Sequence, residues 1–226
     1  MDVTLVQTIA IYALPVLFAI TLHEAAHGYV ARHFGDPTAH AQGRISLNPI
    51  RHVDIAGTVI VPLMLLVLSG GKFVFGWAKP VPVNYSALRK PKQHMAWVAA
   101  AGPAVNLAMA IAWAFLLKSV IELPSGYFSL PVSQMAVAGI VVNMAVMAIN
   151  LLPILPLDGG RILVGLLPKR LAWQFSKTER WGGYVLLAFI IVSLVDSWMF
   201  NGRYVGSVFA PLERLIDKAI RVVVAL

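Results

Sequence analysis

The chain has 226 residues, of which 59% are hydrophobic and 12% charged, and its formal net charge is +8. Soluble domains run at about 45–50% apolar and about 25% charged, so this composition excludes an ordinary soluble globule and points to a membrane protein. There is no cysteine, which excludes disulfides, thiolate metal sites and thiol nucleophiles; any metal must be held by His, Asp or Glu. The basic residues lie in loops between apolar stretches, the pattern of positive-inside bias rather than of nucleic-acid binding, and no nucleic-acid partner is expected.

Five apolar segments follow one another. The first runs from about Val3 to Val30 and leads straight into His23-Glu24, with no basic region before it, so it does not read as a cleavable signal peptide. The second, Ile55 to Leu68, ends in Ser69-Gly70-Gly71 and is short against the ~20 residues that a span requires. The third runs from about Met95 to Leu117. The fourth runs from about Val132 to Leu152 and breaks at Pro153 and Pro156; the fifth runs from about Trp181 to Phe200. Beyond it, Leu212, Leu215, Ile216, Ala219, Ile220 and Val223 recur at helical spacing opposite Glu213, Asp217, Lys218 and Arg221. That is an amphipathic helix, lying either at the membrane interface or on the bundle. Gln42 to Pro49 and Gly76 to Asn84 read as extended; in the latter, Pro80 and Pro82 exclude a helix interior.

The expected fold is an all-α polytopic membrane protein: a bundle of about four full spans, a short re-entrant segment, a small extended or β-hairpin region and a C-terminal amphipathic helix. It is expected to be a single domain over 1–226, with a core at about 3–168 and the last span and helix at about 178–226. If the second segment does not cross, Arg32, Arg44, Arg51, Lys72, Lys79, Arg89, Lys90 and Lys92 share one side with Arg161, Lys169, Arg170, Lys177 and Arg180. The loops on the other side then hold Lys118 and Arg203, thirteen against two among the loops, with Arg214, Lys218 and Arg221 of the C-terminal helix outside that count. That bias puts the N-terminus outside and the inner loops in the cytoplasm of a multi-pass protein of the cell membrane.

His23-Glu24-Ala25-Ala26-His27 is an HExxH motif near the inner end of the first helix. Histidines at i and i+4 share a helical face and can reach one zinc, and the Glu beside the first can contact the metal-bound water. Ionisable residues inside a membrane helix are costly and mark function. His33 stands at the spacing of the longer HExxHxxGxxH motif, but Val30 replaces the glycine, so the helix continues and His33 turns to another face. The third ligand is best supplied by Asp158 in Asn150-Leu151-Leu152-Pro153-Ile154-Leu155-Pro156-Leu157-Asp158-Gly159-Gly160, where two prolines stop the helix and two glycines allow a close approach. Alone, Asp158 reads as the cap of a short helix; beside two histidines needing another ligand, it reads as the third. Asp54 is the runner-up. Asn106, on a small-residue face with Gly102, reads as structural.

These residues resemble the site-2 protease family of intramembrane zinc metalloproteases, in its compact prokaryotic subgroup without a PDZ domain. The resemblance is carried by HEAAH at 23–27, Ala101-Gly102-Pro103-Ala104-Val105-Asn106-Leu107 and NLLPILPLDGG at 150–160, with GRISLNP at 43–49 and GWAKPVPVN at 76–84; it covers about residues 15 to 165. It implies one zinc ion held by His23, His27 and Asp158, Glu24 as catalytic base, and Asn150 positioning the substrate or stabilising the oxyanion. An interhelical hydrogen bond is the plainer role for Asn150. The resemblance further implies that the extended segments form a membrane-embedded hairpin or sheet. The substrate would be a membrane protein cut within or near a transmembrane segment. The alternative is a non-proteolytic metal-binding or metal-transporting membrane protein, which would keep the three ligands but have no need of Glu24. A zinc protease with a glutamate third ligand is disfavoured, since Glu122, Glu179 and Glu213 lie in loop-like or amphipathic surroundings.

Overall fold

The structure, a computed structural model, describes residues 5–69, 76–123 and 126–225. Helix α1 covers Leu5–His33 and carries Arg32 and His33 in its last turn, where cations favour the helix dipole. It ends where Gly35 takes φ +109°, a left-handed conformation suited to glycine. A single turn, α2 (Thr38–Ala41), follows. A six-residue π-helical stretch, Ile55–Ile60, then runs into α3 (Val61–Leu68). Helix α4 (Pro91–Glu122) starts with proline in its first turn, where the missing N–H costs nothing. Helices α5 (Ser129–Asn150), α6 (Asp158–Leu166), α7 (Lys169–Ser176), α8 (Glu179–Met199) and α9 (Arg203–Ala225) complete the chain.

Among the described residues, four helices, α1, α4, α5 and α8, are long and apolar enough to cross a membrane. Their outward side chains fit that setting: Trp97, Ile111, Phe115 and Val192 are half-exposed or more, an arrangement costly in water and natural against lipid. The centre of the bundle is α1, α4 and α5 packed on one another, with α6 against α4. The inward face of α4 is built from Ala99, Gly102, Asn106, Ala110 and Ala114. Small residues at this spacing let neighbouring backbones come close.

Ile55–Leu68 is a shorter apolar helix, about 21 Å long at 1.5 Å per residue against a hydrocarbon core of about 30 Å. By Trp77 the chain has returned to its start, since the Trp77 N–H donates to Gly57 O at 3.0 Å. The start of this segment and the chain that follows it are therefore side by side. Lys72, counted in that bias, and Gly70-Gly71 lie outside the described residues.

One expectation is corrected. Among the described residues there is no strand, so the β-hairpin is not formed. Residues 77–84 carry no regular secondary structure, and prolines at 80 and 82 remove two ladder donors; Gln42–Pro49 is not extended throughout, since Gly43 turns at φ +63° and Pro49 opens a single 3-10 turn. The segment is held by side chains and isolated carbonyls. Arg44 donates to Lys79 O at 3.0 Å, the Asn84 N–H donates to Asp36 Oδ2 at 2.7 Å, and the Lys79 N–H donates to His52 O at 2.9 Å.

At the C-terminus, the Asp196 carboxylate of α8 accepts the Tyr204 and Val205 N–H groups at 3.1 and 2.7 Å and so caps α9. Of the two positions open to the amphipathic helix, the bundle is the one occupied. Ile216 is buried in a cluster with Ala110, Ala114 and Leu117 of α4 and Ala136, Ile140 and Met144 of α5, and Ile220 packs on it.

Candidate metal centre

His23 and His27, one turn apart on α1, face Asp158 at the start of α6. His23 Nε2 lies 3.2 Å from Asp158 Oδ2, and His27 Nε2 lies 3.5 Å from Asp158 Oδ1. The loop that delivers Asp158 folds tightly over the first turn of α6. A Cβ on Gly159 would stand 2.2 Å from Leu151 O, and one on Gly160 would stand 2.6 Å from Leu155 N. Only glycine permits that approach. Leu157 holds the cap position and Asp158 is the first residue of α6, its carboxylate turned to the histidines.

Each imidazole is oriented from behind. The His23 Nδ1–H donates to Asn106 Oδ1 at 2.5 Å, since an amide oxygen only accepts. The Asn106 amide nitrogen donates to Asn143 Oδ1 at 2.9 Å and to Ala19 O at 3.3 Å, and Asn143 donates to Gly139 O at 2.8 Å. Both asparagines are fully buried. The His27 Nδ1–H donates to Val98 O at 2.7 Å. With both Nδ1 atoms engaged, both Nε2 atoms face the carboxylate. Such partners fix the tautomer and raise the basicity of a ligating imidazole.

The donor set fits a zinc ion. The three ligand atoms lie within 4.8 Å of one another. Bonds of about 2.0–2.1 Å at tetrahedral angles place ligand atoms ~3.3 Å apart, and each histidine Nε2 lies 3.2–3.5 Å from one or the other Asp158 oxygen. Asp158 Oδ2 is buried without a hydrogen-bond partner. A buried carboxylate oxygen left so is costly unless a cation meets it. Three ligands with one open position is the pattern of a catalytic rather than a structural zinc site.

Gly102 of α4 is the unforeseen part of the site. A Cβ there would lie 2.6 Å from both His23 Nε2 and His27 Nε2. Its lack of a side chain leaves the room in which the ligand atoms meet. Asn106, read from the sequence as structural, is one turn further along the same face and directly supports a candidate ligand. A polar residue at i+4 from a glycine on an otherwise apolar face was the available signal. Asn106→Ala is expected to lower zinc affinity about 10–100-fold while the helices persist, measured by competition with a chelating dye and by circular dichroism.

The other candidates are placed elsewhere. Asp54 caps the π-helical stretch, its Oδ1 accepting the Gly57 N–H at 2.7 Å. His33 is the exposed last residue of α1, its ring against Phe34. The Asn150 amide nitrogen donates to Val146 O in its own helix at 3.0 Å. Glu24 is partly buried, and its Oε2 accepts the Val81 N–H at 2.7 Å. Nearby, the Arg161 guanidinium lies 4.9 Å from the centre of the Tyr85 ring and reaches Glu179 at 3.1 Å. Burial pushes the Tyr85 phenol above its ordinary pKa, with Arg161 opposing, so this side chain is neutral and a donor.

Fold and site together define a polytopic membrane protein with a buried two-histidine, one-aspartate cluster beside a glutamate. The sequence profile of Peptidase family M50 matches residues 125–193, which include the Asn150–Gly160 loop. The chain is 38% identical over 182 residues to YwhC of Bacillus subtilis (strain 168), covering 79% of this chain and 78% of that protein. It is 26% identical over 188 residues to Rip2 of Mycolicibacterium smegmatis, covering 83% of this chain and 69% of that one. Both relatives bear the name "Putative zinc metalloprotease". No solved structure matches the chain. The chain belongs to peptidase family M50, the site-2 protease family.

Proposed function

We propose that this zinc metalloprotease hydrolyses peptide bonds within or near transmembrane segments of membrane-protein substrates, with His23, His27 and Asp158 as metal ligands and Glu24 as general base. The observation that carries the reading is the convergence of His23, His27 and the buried Asp158 carboxylate, whose Oδ2 has no hydrogen-bond partner, with Glu24 adjoining His23 in the sequence. Bound there, zinc supplies Lewis-acid polarisation of a carbonyl and acidifies a coordinated water. Glu24 accepts a proton from the attacking water as its oxygen bonds to the carbonyl carbon. The same carboxyl returns a proton to the departing amine nitrogen as the C–N bond breaks. Asn106 and Val98 hold the imidazoles so that no ligand swings as charge builds. Asn150 donates to the oxyanion once its amide turns from Val146.

The setting supports an intramembrane substrate. The ligands sit on the inner half of α1 and at the foot of α5, inside a bundle whose outer surface is apolar. The thirteen-to-two basic bias among the loops supports a multi-pass protein of the cell membrane, its active site toward the cytoplasm. The core at about 3–168 holds every proposed ligand, and α8 and α9 are paired with each other, which supports one domain with an attached terminal pair.

Glu24→Gln tests the reading. Expected is a fall in cleavage of a membrane-embedded reporter of roughly 10²–10⁴-fold or more, with about one zinc per chain retained. Undiminished cleavage would remove Glu24 as the base. Glu24→Gln also separates a protease from a metal carrier, whose transport would survive the change.

A further inference from the structure

The Trp77–Asn84 segment does more than cover the inner end of α1. Pro80 and Pro82 have no N–H, so Val81 offers the single backbone donor of that tripeptide. That donor is spent on Glu24 Oε2, at 2.7 Å. The segment is fixed on either side of this contact. Lys79 O and Pro80 O accept from Arg44 at 3.0 and 3.3 Å, and the Asn84 N–H binds the fully buried Asp36 at 2.7 Å. It also lies close against α1. A Cβ on Gly28 would stand 3.2 Å from Val81 Cγ1 and 2.9 Å from Ile45 Cγ1. Gly28 is four residues after Glu24 and so on its helical face. A glycine clears the approach, prolines silence the neighbouring donors, and an arginine and an aspartate hold the ends.

We propose that Val81 is a positioning residue. Its N–H holds Glu24 Oε2 and thereby presents Oε1 to the reacting water. A hydrogen bond to an ionised carboxylate is stronger than a neutral one. A flexible Glu side chain restrained in this way meets its proton already aligned. The strap does for the base what Asn106 and Val98 do for the histidines. The inference rests on Glu24 being the base.

The test replaces the amide by an ester, with the valine hydroxy acid incorporated at position 81 or at position 83. The side chain is unchanged; the N–H is replaced by an ester oxygen and the preceding carbonyl becomes a weaker acceptor at either position, and both positions adjoin Pro82. In the full chain, the ester at 81 is expected to lower kcat roughly 10–100-fold with KM, helicity and zinc content unchanged. The ester at 83 is expected to have a several-fold smaller effect. Independently of turnover, the Val81 amide is expected to exchange with deuterium at least about ten-fold faster in Glu24→Ala than in wild type, while the Asn84 amide does not change. Equal losses from both esters, loss of zinc with the ester at 81, full kcat with it, or Val81 exchange indifferent to Glu24→Ala would each overturn the proposal. The two readings fail separately: cleavage by Glu24→Gln removes the base itself, whereas equal esters remove only the strap.

Discussion

Asp158→Ala, purified in detergent beside wild type, is expected to carry well below one zinc per chain where wild type carries about one, and to show no measurable cleavage. The reason is ligand number. His23 and His27 alone give two protein ligands, and a catalytic zinc keeps three plus an open position. The same carboxylate is the acidic residue in the first turn of α6, so its loss also costs a favourable dipole contact of about 0.3–1 kcal/mol. That local cost is too small to unfold the bundle, whose centre is α1, α4 and α5. Asp158→Asn keeps the shape and polarity of the turn, though not its charge, and is also expected to bind zinc poorly. Full zinc in the alanine variant, by elemental analysis, would mean that the ligand set is wrong. Asp54 would not replace it, because its carboxylate is engaged in capping.

Gly102→Ala is the second large effect, and its sign runs against helix propensity. Alanine is better than glycine in a helix interior by about 1 kcal/mol, so α4 itself would be favoured. The added Cβ, however, would stand 2.5 Å from His23 Cε1 and 2.6 Å from both Nε2 atoms. Carbon atoms do not approach that closely, so the rings or α4 must shift. The displaced atoms are the ones proposed to meet the metal. A misplacement near 1 Å in such a site costs ~10²-fold. Expected are undiminished helicity by circular dichroism, zinc affinity reduced at least ~10-fold and activity lowered by about two orders of magnitude or more. A Gly102→Ala variant with wild-type zinc and cleavage would show that the neighbouring helix gives way freely.

The sequence by itself determined a good deal. Composition and five apolar runs sufficed for an all-α membrane bundle, because lipid admits only structures that satisfy their own backbone. HExxH was legible because its chemistry is local: two imidazoles one turn apart need nothing but a helix to bring them together. The shortness of Ile55–Leu68 and the loop charges pointed to a segment that returns on its own side, and that placed Asp158 on the face of His23 and His27. Prolines at 153 and 156 and the glycine pair at 159–160 signalled the unwound turn that the structure contains.

Other features were decided only by tertiary structure. The stretches read as extended did not become a hairpin. Backbone conformation is local, whereas strand pairing depends on which partner offers donors and acceptors, and here Arg44 as donor and Asp36 and Glu24 as acceptors took those places. Asn106 and Gly102 looked like packing residues, because a small-residue face reads the same whether it meets a neighbouring alanine or two imidazoles. The C-terminal helix had the same apolar stripe for an interface as for a bundle, and the groove between α4 and α5 settled which. Nothing in the spacing tied Val81 to Glu24 across 57 positions. A hydrogen bond between distant residues has no periodicity, so it becomes visible only when the fold has brought both ends together.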